Sequence, residues 1–256
     1  MMIEIKSSGN EKFKYFKGLL TKKGRDEKGE YIVEGIKCTD EAISSNKNVT
    51  AVIVKTGMED RFKGLSCPVY VMPESLTDRL SDTKTPQGVY AVIKKEQNNE
   101  ALKADGAYVF CDRVADPGNL GTIIRTADAA GFDGVLLSEG CVEATSPKVV
   151  RSCMGSFFRM DIRENVGNDI LDSFKNDGGK VYGGILKGDT KDYRDVSYKG
   201  GVIIVVGNES SGICVETAEK CTPVKITIYG GAESLNVAVA AGIMMYRAAE
   251  EREQTV

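Results

Sequence analysis

The fold is decided by residues 112–131, DRVADPGNLGTIIRTADAAG, in which a polar loop passes into an amphipathic helix. The apolar run at 107–111 predicts a strand that leads into this loop. Asn119 is the predicted N-cap of the helix, and Gly131 follows its last turn. A loop between a strand and a helix is where open α/β sheets bind ligands. This stretch therefore predicts an α/β domain with a site at the loop.

Arg125 lies on that helix one turn after Thr122 and one turn before Asp128, so the three side chains share a face. A solvated arginine on an amphipathic helix is the ordinary interpretation, and a functional arginine is the alternative. Gly118 and Gly121 do not complete a GxGxxG motif, and no Lys-Ser/Thr pair follows them as in a P-loop. The stretch therefore lacks the two common nucleotide-binding motifs.

The composition is that of a soluble globular protein, with 41% hydrophobic and 28% charged residues among 256. The formal net charge of −3 excludes a globally basic nucleic-acid binder, so any such affinity must come from a local patch. The sequence contains no apolar run long enough to span a bilayer and no secretory signal at Met1. A cytoplasmic protein without a membrane partner is expected.

The arrangement of the cysteines and the absence of histidine limit the metal sites and catalytic groups that the protein can contain. The seven cysteines form no CxxC motif, and the chain contains no histidine. Common zinc sites and Ser-His or Cys-His catalysis are therefore excluded, and no metal is expected. Scattered, odd-numbered cysteines fit a reducing compartment. Proton transfer must fall to carboxylates, lysine, tyrosine or arginine, unless the reaction needs little of it.

The N-terminal part, residues 1–95, predicts a small α/β sandwich. Strands are expected at 31–35, 51–54, 69–72 and 88–93, with short helices between them. Residues 81–88 form a polar loop, for which a simple turn and a ligand contact are both open. The stretch at 96–106 is the predicted linker to a second domain.

A basic segment precedes these strands. Residues 6–30 contain eight Lys and Arg residues. Phe13 and Phe16 recur at helical spacing and predict a helix over 10–22, and the polar residues at 22–29 predict a loop. The basic side of this segment has two open interpretations, a solvated face and an RNA-facing patch.

Residues 107–256 predict a doubly wound α/β domain. Strands are expected at 107–111, 135–137, 156–161, 180–185, 201–206 and 223–228, and helices at 119–130, 147–154, 167–177 and 214–220. The strand at 201–206 has no polar alternation, which predicts a parallel sheet that is covered on both faces.

A second informative loop, GNESSG at 207–212, directly follows that buried strand. Glycines at both ends let the backbone turn tightly or approach a ligand closely. Glu209 then lies at the carboxyl end of a central strand, where open α/β sheets place ligands. It either contacts such a ligand or caps the helix that follows.

A third stretch, KITIYGGAESLNVAVAAG at 225–242, predicts a strand, a glycine turn and the last helix. Ser234 or Glu233 is the expected N-cap of this helix. Its expected buried stripe consists of Leu235, Val239, Ile243 and Tyr246. Asn236 is poorly explained by packing and needs a polar partner. The small residues between 238 and 242 allow close packing, either in a helical dimer contact or in the core.

These loops resemble, in order and spacing, the motifs of the SpoU (TrmH-type) ribose 2′-O-methyltransferases of the SPOUT superfamily. The matching stretches are DPGNLGTIIRT at 116–126, GNESSG at 207–212 and SLNVAVAAG at 234–242. Residues 31–35 and 81–88 resemble the L30e/L7Ae-like RNA-binding domain that often precedes this catalytic domain. The resemblance implies an N-terminal L30e-like α/β sandwich, a C-terminal SPOUT α/β domain with a trefoil knot, and a homodimer formed through the C-terminal domain.

The resemblance also implies the cofactor S-adenosyl-L-methionine (AdoMet). The residues expected to bind it are Gly207, Ile226, Ile228, Gly230 and Leu235. The expected catalytic residues are Arg125, Asn119, Glu209, Ser234 and Asn236. Because a guanidinium is a poor base at neutral pH, Arg125 would bind RNA phosphate and lower the pKa of the ribose 2′-hydroxyl, with the proton lost to phosphate or to an arginine perturbed by the site. Asn119 would orient Arg125 or the RNA, and the other three would position the ribose and the loops.

The expected function is AdoMet-dependent 2′-O-methylation of a ribose in structured RNA, with ribosomal RNA favoured over transfer RNA. One alternative is a tRNA 2′-O-methyltransferase, and another is an RNA-binding protein that kept the fold but lost catalysis. The presence of all five catalytic residues together favours the enzyme. A Rossmann-type nucleotide enzyme is disfavoured, because the GxGxxG motif is missing.

Overall fold

The computed structural model describes residues 1–45, 47–186 and 188–253. The chain forms two compact units, of which the first consists of Met1–Glu96 and Thr145–Arg159. The second consists of Gln97–Ala144 and the chain from Met160 onward. Residues 145–159, which lie in the stretch predicted as the C-terminal domain, thus pack within the first unit; the domain limits at 95 and 107 stay a prediction. Within the described residues, no helix combines the length and the apolar character needed to cross a membrane.

The strands and helices are numbered in chain order. The strands are β1 (Met2–Glu4), β2 (Glu30–Glu34), β3 (Val49–Lys55), β4 (Val69–Met72), β5 (Val89–Lys94), β6 (Ala107–Asp112), β7 (Gly134–Leu137), β8 (Asp161–Arg163), β9 (Lys180–Gly184), β10 (Lys191–Asp192), β11 (Val202–Gly207) and β12 (Thr222–Lys225). The α-helices are α1 (Glu11–Gly18), α2 (Lys22–Lys28), α3 (Ile36–Ser44), α4 (Glu74–Thr77), α5 (Pro117–Ala129), α6 (Pro147–Cys153), α7 (Ser156–Arg159), α8 (Asp169–Asn176), α9 (Val215–Ala218) and α10 (Val237–Glu253). Short 3-10 helices cover Glu59–Phe62 and Asp78–Leu80.

The first unit is built on a mixed sheet with the strand order β1-β4-β3-β5-β2. Successive residues of β3 point to opposite faces, so Ile53 joins one apolar cluster and Val52 joins another. Phe13 of α1 packs in the cluster of Ile53, and Phe62 packs in the cluster of Val52. Helical segments therefore cover both faces of the sheet, and the predicted N-terminal α/β sandwich is confirmed.

Hydrogen bonds join the two N-terminal stretches that carried the resemblance. Ser81 Oγ donates to Glu34 Oε1 at 2.6 Å, and the Ile36 N–H donates to Gln87 Oε1 at 2.8 Å. These bonds hold the loop at 81–88 against the end of β2 and the beginning of α3. Hydrogen bonds to neighbouring elements of the same unit thus account for the polar side chains of Ser81 and Gln87.

The basic segment contains two helices. The helix predicted over 10–22 is too long, and the loop predicted at 22–29 is wrong, because α2 forms there. Thr21 Oγ1 accepts a hydrogen bond from the Gly24 N–H at 3.1 Å and so caps α2. Gly29, at φ 62°, ends the helix in the left-handed region. Two ion pairs between residues four apart also stabilise α2. The composition of the segment alone does not reveal these local interactions.

The second unit is built on a sheet with the strand order β10-β12-β9-β11-β6-β7-β8, and neighbouring strands in this order are parallel. Central strands β11 and β6 are buried along their whole length. The unbroken apolar run of β11 predicted this burial, since both faces of a parallel sheet are covered. The α/β architecture with a parallel sheet is confirmed, whereas the trefoil knot stays a prediction.

Two predicted strands differ from the structure. The strand predicted over 156–161 is wrong, because α7 forms there and only then does β8 begin. Phe157 of α7 is buried, with its ring 5.7 Å from that of Tyr31. A short apolar run does not distinguish a buried helical turn from a strand. The strand predicted over 223–228 is too long, and irregular backbone begins at Ile226.

The two helices that border the candidate site begin differently from the prediction. Asp116, and not Asn119, is the N-cap of α5, because its Oδ1 accepts a hydrogen bond from the Asn119 N–H at 2.8 Å. Asn236 has the same role at α10, where its Oδ1 accepts from the N–H two residues further on at 2.9 Å. The cap predicted at Ser234 or Glu233 is therefore wrong, since α10 begins later.

The buried face of α10 also differs from the predicted stripe. Its buried residues are Ala238, Ala241, Met244, Met245 and Ala248. Val239 and Tyr246, which were predicted to be buried, are 51% and 49% exposed. A Cβ added to Gly242 would lie in ordinary contact with the Thr126 methyl of α5, at 3.5 Å. The buried face of α10 thus combines alanines with Met244 and Met245, whereas Val239 and Tyr246 are turned outward.

Candidate active site

The site begins where β6 and β11 end side by side, with Asp112 and Gly207 in register. From this edge the chain leaves β6 toward α5 and leaves β11 toward α9. Open α/β sheets bind their ligands at the carboxyl ends of the strands. Both loops, and the segment that leads into α10, belong to the second unit.

Asp112 and Arg113 tie the first two loops together. The Asp112 side chain is buried, and its Oδ2 accepts a hydrogen bond from the Cys214 N–H at 2.5 Å. Arg113 has a φ of 59°, in the left-handed region that residues other than glycine rarely adopt. In this conformation its carbonyl oxygen accepts from Asn208 Nδ2 at 2.9 Å. The strained backbone therefore directs the loop before α5 onto the loop after β11.

Glu209 joins the same loops through its carboxylate. Oε1 accepts from the Asp116 N–H at 3.1 Å and from Asn119 Nδ2 at 2.9 Å, and Oε2 accepts from the Ala115 N–H at 3.3 Å. Partial burial raises the pKa of Glu209, but these hydrogen bonds together outweigh it and hold the pKa below its ordinary value. Glu209 is thus ionised at neutral pH, which suits it to hold loops and makes it a poor proton acceptor. It does not cap α9, whose N-cap is Cys214.

Asn119 and Asn236 connect the third loop to the first two. Asn236 Nδ2 donates to Asn119 Oδ1 at 2.9 Å, while Asn119 Nδ2 donates to Glu209. One chain of hydrogen bonds therefore runs through the loop after β11, the beginning of α5 and the beginning of α10. This chain supplies the polar partner that the sequence required for Asn236.

Arg125 lies further along α5 and is exposed. In the part of the chain that the structure describes, its guanidinium makes no hydrogen bond or ion pair. Ser234, in the irregular segment before α10, is exposed as well. The structure thus joins three of the five predicted catalytic residues directly and leaves Arg125 and Ser234 open to a bound molecule. An unpaired guanidinium offers five N–H donors and a positive charge.

A cavity of about 600 Å³ opens beside this network. Four of the predicted cofactor-binding residues line it, namely Gly207, Ile226, Ile228 and Leu235. Three of the predicted catalytic residues also line it, namely Glu209, Ser234 and Asn236. Gly230 is exposed and does not belong to the lining, and neither do Asn119 and Arg125.

Several residues of the cavity wall were not predicted. They are Ile185, Leu186, Ile213, Ala218, Val224, Ala240 and Met244. Ile185 and Leu186 directly follow β9, the strand that pairs with β11 on the side away from β6. The end of a strand beside a known site loop is a signal that could have identified them. Met244 belongs to the buried face of α10. It could be predicted as a cavity residue only if the buried face of that helix had been assigned correctly.

The cavity combines apolar walls with backbone groups and a few polar side chains, which is typical of a site for an organic ligand. Its glycine at 207 is required by the backbone, because a Cβ there would lie 2.1 Å from the carbonyl carbon of Gly212. Among the described residues, no group of three or more His, Cys, Asp or Glu side chains could hold a metal ion.

The fold and the site define an α/β protein that binds an organic ligand where its parallel strands end. The chain belongs to the SpoU rRNA methylase family, whose family model matches residues 106–246. A second family model, the MRM3-like substrate binding domain, matches residues 10–91. The resemblance found in the three loops is therefore confirmed, and so is the expectation of a substrate-binding domain ahead of them.

Individual relatives are similar to this protein over nearly the whole length of the chain. The 23S rRNA (guanosine(2553)-2′-O)-methyltransferase RlmP of Bacillus subtilis is 36% identical over 249 residues, which are 96% of this chain and 98% of that protein. The crystal structure of an AdoMet-bound rRNA methyltransferase from Sinorhizobium meliloti is 31% identical, with a TM-score of 0.88 over 97% of this chain and 98% of that chain. The SpoU methyltransferase AviRb from Streptomyces viridochromogenes, in complex with AdoMet, is 25% identical, with a TM-score of 0.85 over 96% of this chain and 100% of that chain.

Proposed function

We propose that this protein transfers the methyl group of AdoMet to the 2′-hydroxyl of a ribose in ribosomal RNA. The observation that carries the proposal is the hydrogen-bonded chain of Glu209, Asn119 and Asn236 beside a cavity, in a member of the SpoU family. The relatives from B. subtilis and S. meliloti are rRNA methyltransferases, which favours ribosomal over transfer RNA. Because the B. subtilis relative is a 23S rRNA enzyme, 23S rRNA is the first RNA to test.

The cavity suits AdoMet in size and in chemistry. Its volume of about 600 Å³ lies within the range of small-molecule sites. Ile226, Ile228 and Leu235 offer apolar surface to the adenine ring, and Gly207 lines the same cavity. When bound, the cofactor supplies an electrophilic methyl group on a positively charged sulfur. The AdoMet-bound relatives support this assignment, in which a contact from Gly230 stays a prediction.

Arg125 is the residue proposed to act on the RNA. Because its guanidinium has no partner within the described residues, it can bind a phosphate beside the target ribose without breaking another contact. A positive charge close to the 2′-hydroxyl favours the alkoxide and so lowers the pKa of that hydroxyl. The proton then passes to a phosphate oxygen or to water, while the guanidinium stays charged.

The remaining predicted residues are proposed to hold the reacting groups in line. Glu209 and Asn119 fix the loop before α5, and Asn236 fixes the beginning of α10. Ser234, exposed at the cavity, is proposed to contact the ribose. Holding two reactants in a productive geometry is a large part of catalysis for a reaction that needs little acid-base assistance.

The proposed function is tested by incubating the protein with radiolabelled AdoMet and either a 23S rRNA transcript or a tRNA pool. We expect label in the 23S rRNA, in a dinucleotide that resists alkaline hydrolysis, because a methylated 2′-hydroxyl cannot attack the neighbouring phosphate. Label in tRNA alone would support the tRNA alternative. RNA binding without any methyl transfer would support the RNA-binding protein that lost catalysis.

A homodimer through the second unit is part of the proposal. Val239, Ile243 and Tyr246 lie at helical spacing on α10, and Val239 and Tyr246 are about half exposed. Large apolar side chains that recur on one exposed helix face indicate a contact with another protein. A second copy of the chain is the proposed partner, with each active site completed across the interface.

Replacing Tyr246 by glutamate is expected to convert the dimer to a monomer and to reduce methyl transfer at least about 10-fold, because a charge would be buried without a partner at the interface. Sedimentation velocity and the methylation assay measure the two effects. Val215→Glu is the matched control, since Val215 is 68% exposed on α9 and its replacement should leave the dimer intact. A wild-type protein that sediments as a monomer at assay concentration would contradict the proposal.

The thiols support a cytoplasmic location for the enzyme. All seven cysteines are free. Burial raises the pKa of Cys153 and of Cys221 to about 12, so these two thiols stay protonated and unreactive. Free thiols are typical of a reducing compartment such as the cytoplasm.

A further inference from the structure

The two compact units carry opposite net charge. The first unit has 20 Lys and Arg against 14 Asp and Glu, a net charge of +6. The second unit has 14 Lys and Arg against 23 Asp and Glu, a net charge of −9, and the two together give the −3 of the chain. RNA is a polyanion whose affinity for proteins comes largely from contacts of Lys and Arg with phosphates. The unit with the proposed methyltransferase site therefore repels the substrate overall, and the first unit attracts it.

Within the first unit, positive charge is concentrated on α1 and α2. The segment 6–30 has eight Lys and Arg against four Asp and Glu. Three of its lysines, Lys14, Lys22 and Lys23, are ion-paired with acidic residues one turn away. Lys12, Lys17 and Lys28 are exposed and make no ion pair within the described residues. These three lysines are available to an external anion.

The surface that carries these lysines is anchored to the core. Phe13 and Phe16 of α1 are buried in the apolar cluster on one face of the sheet. The buried Arg25 of α2 donates to the Leu19 carbonyl oxygen at 3.0 Å, which holds the two helices together. Packing thus fixes the backbone of the two helices, so only the exposed lysine side chains have to be ordered when a phosphate binds.

An aromatic ring adds to this surface. Tyr15 is partly exposed, and Lys12 Nζ lies 5.1 Å from the centre of its ring. Aromatic side chains next to cations are a common device for binding unpaired nucleotides, because every base has a face that stacks. The neighbouring charge and ring fit single-stranded or looped RNA.

We propose that the exposed side of α1 and α2, called the α1–α2 surface, binds the sugar-phosphate backbone of the substrate RNA through Lys12, Lys17, Lys28 and Tyr15. It supplies the electrostatic affinity that the second unit lacks. The proposal rests on the proposed function, since it names the place where the same RNA substrate is held.

A matched control lies on the opposite face of the sheet. Lys47, Arg61 and Lys63 are cations of the first unit that are ion-paired with Glu96, Asp40 and Asp60. Arg61 and Lys63 flank Phe62, which packs in the other apolar cluster from that of Phe13. Replacing these three by glutamine removes the same charge as replacing the three lysines of the α1–α2 surface.

The test measures binding of an unmodified 23S rRNA transcript over a series of salt concentrations. The variant Lys12→Gln, Lys17→Gln, Lys28→Gln is expected to bind on the order of 30-fold more weakly, and the slope of log affinity against log salt is expected to fall by about 2 to 3. The control variant Lys47→Gln, Arg61→Gln, Lys63→Gln is expected to lose less than about 3-fold, because no phosphate contact is removed. AdoMet affinity and the thermal midpoint serve as checks that both variants are folded.

Equal loss of RNA affinity in the two variants would overturn the proposal, because it would show that total charge matters and the α1–α2 surface does not. Unchanged binding by the first variant would overturn it as well. A failure of the proposed function would be distinguished from a failure of this proposal by the methylation assay. In that case, the wild-type protein would place no methyl group on a ribose, whichever lysines were present.

Discussion

Replacing Arg125 by alanine is expected to lower kcat for ribose methylation by about 10²–10³-fold, the usual loss when a charged donor is removed from a developing oxyanion. The arginine is exposed and makes no bond within the described residues, so its loss should leave the thermal midpoint and the AdoMet affinity unchanged. Single-turnover methylation at saturating RNA measures the effect on the chemical step.

Arg125→Lys is the informative companion variant. Lysine keeps the positive charge but cannot bind a phosphate through two parallel N–H groups. We expect it to recover part of the lost rate, which would separate the role of charge from that of geometry. If Arg125→Ala methylates ribose at the wild-type rate, the proposed role of Arg125 is wrong.

Replacing Gly207 by alanine is expected to weaken AdoMet binding by at least about 100-fold, since even small changes in a packed site force the backbone to shift. An added Cβ would lie 2.1 Å from the carbonyl carbon of Gly212 and 2.1 Å from the nitrogen of Ile213. The loop after β11 must then move, and with it the cavity wall and Glu209. Isothermal titration calorimetry with AdoMet measures the loss.

Gly231→Ala is the matched control for this variant. Gly231 is exposed and outside the predicted cofactor-binding residues, and a Cβ added there would meet nothing within 4 Å. We expect a change in AdoMet affinity of less than about 3-fold, within the spread of ordinary surface substitutions. Wild-type affinity in Gly207→Ala would contradict the placement of the cofactor. An equal loss of affinity in Gly231→Ala would show that the effect of Gly207→Ala does not come from the loop after β11.

The sequence predicted the sheet and the site loops because both depend on strong local patterns. The apolar run at 201–206 required a covered parallel strand, and the glycines at 207 and 212 marked a loop at its carboxyl end. Parallel strands end at one edge, and the structure makes the loops after β6 and β11 neighbours because these two strands pair. A polar partner for Asn236 was expected because a polar side chain in an apolar stretch of sequence needs a hydrogen bond, and Asn119 supplies it.

What the sequence could not predict depends on contacts between distant residues. Asn119 looked like an N-cap, but its amide bonds to Glu209 and Asn236, and Asp116 caps the helix. The buried face of α10 was misassigned because it combines alanines with Met244 and Met245, while Tyr246 is about half exposed. Hydrophobicity alone favours large apolar side chains, so it does not identify a buried face on which several residues are alanine.

The position of Glu209 has a consequence for how the two substrates are bound. Glu209 belongs to the loop after β11, which lines the cavity, and its carboxylate accepts hydrogen bonds from the beginning of α5, the helix of Arg125. A ligand that shifts one loop therefore changes the free energy of the other. Linkage requires this coupling to be reciprocal, so whatever factor AdoMet contributes to RNA affinity, RNA contributes to AdoMet affinity. We therefore expect Glu209 to couple the binding of the cofactor to the binding of the RNA.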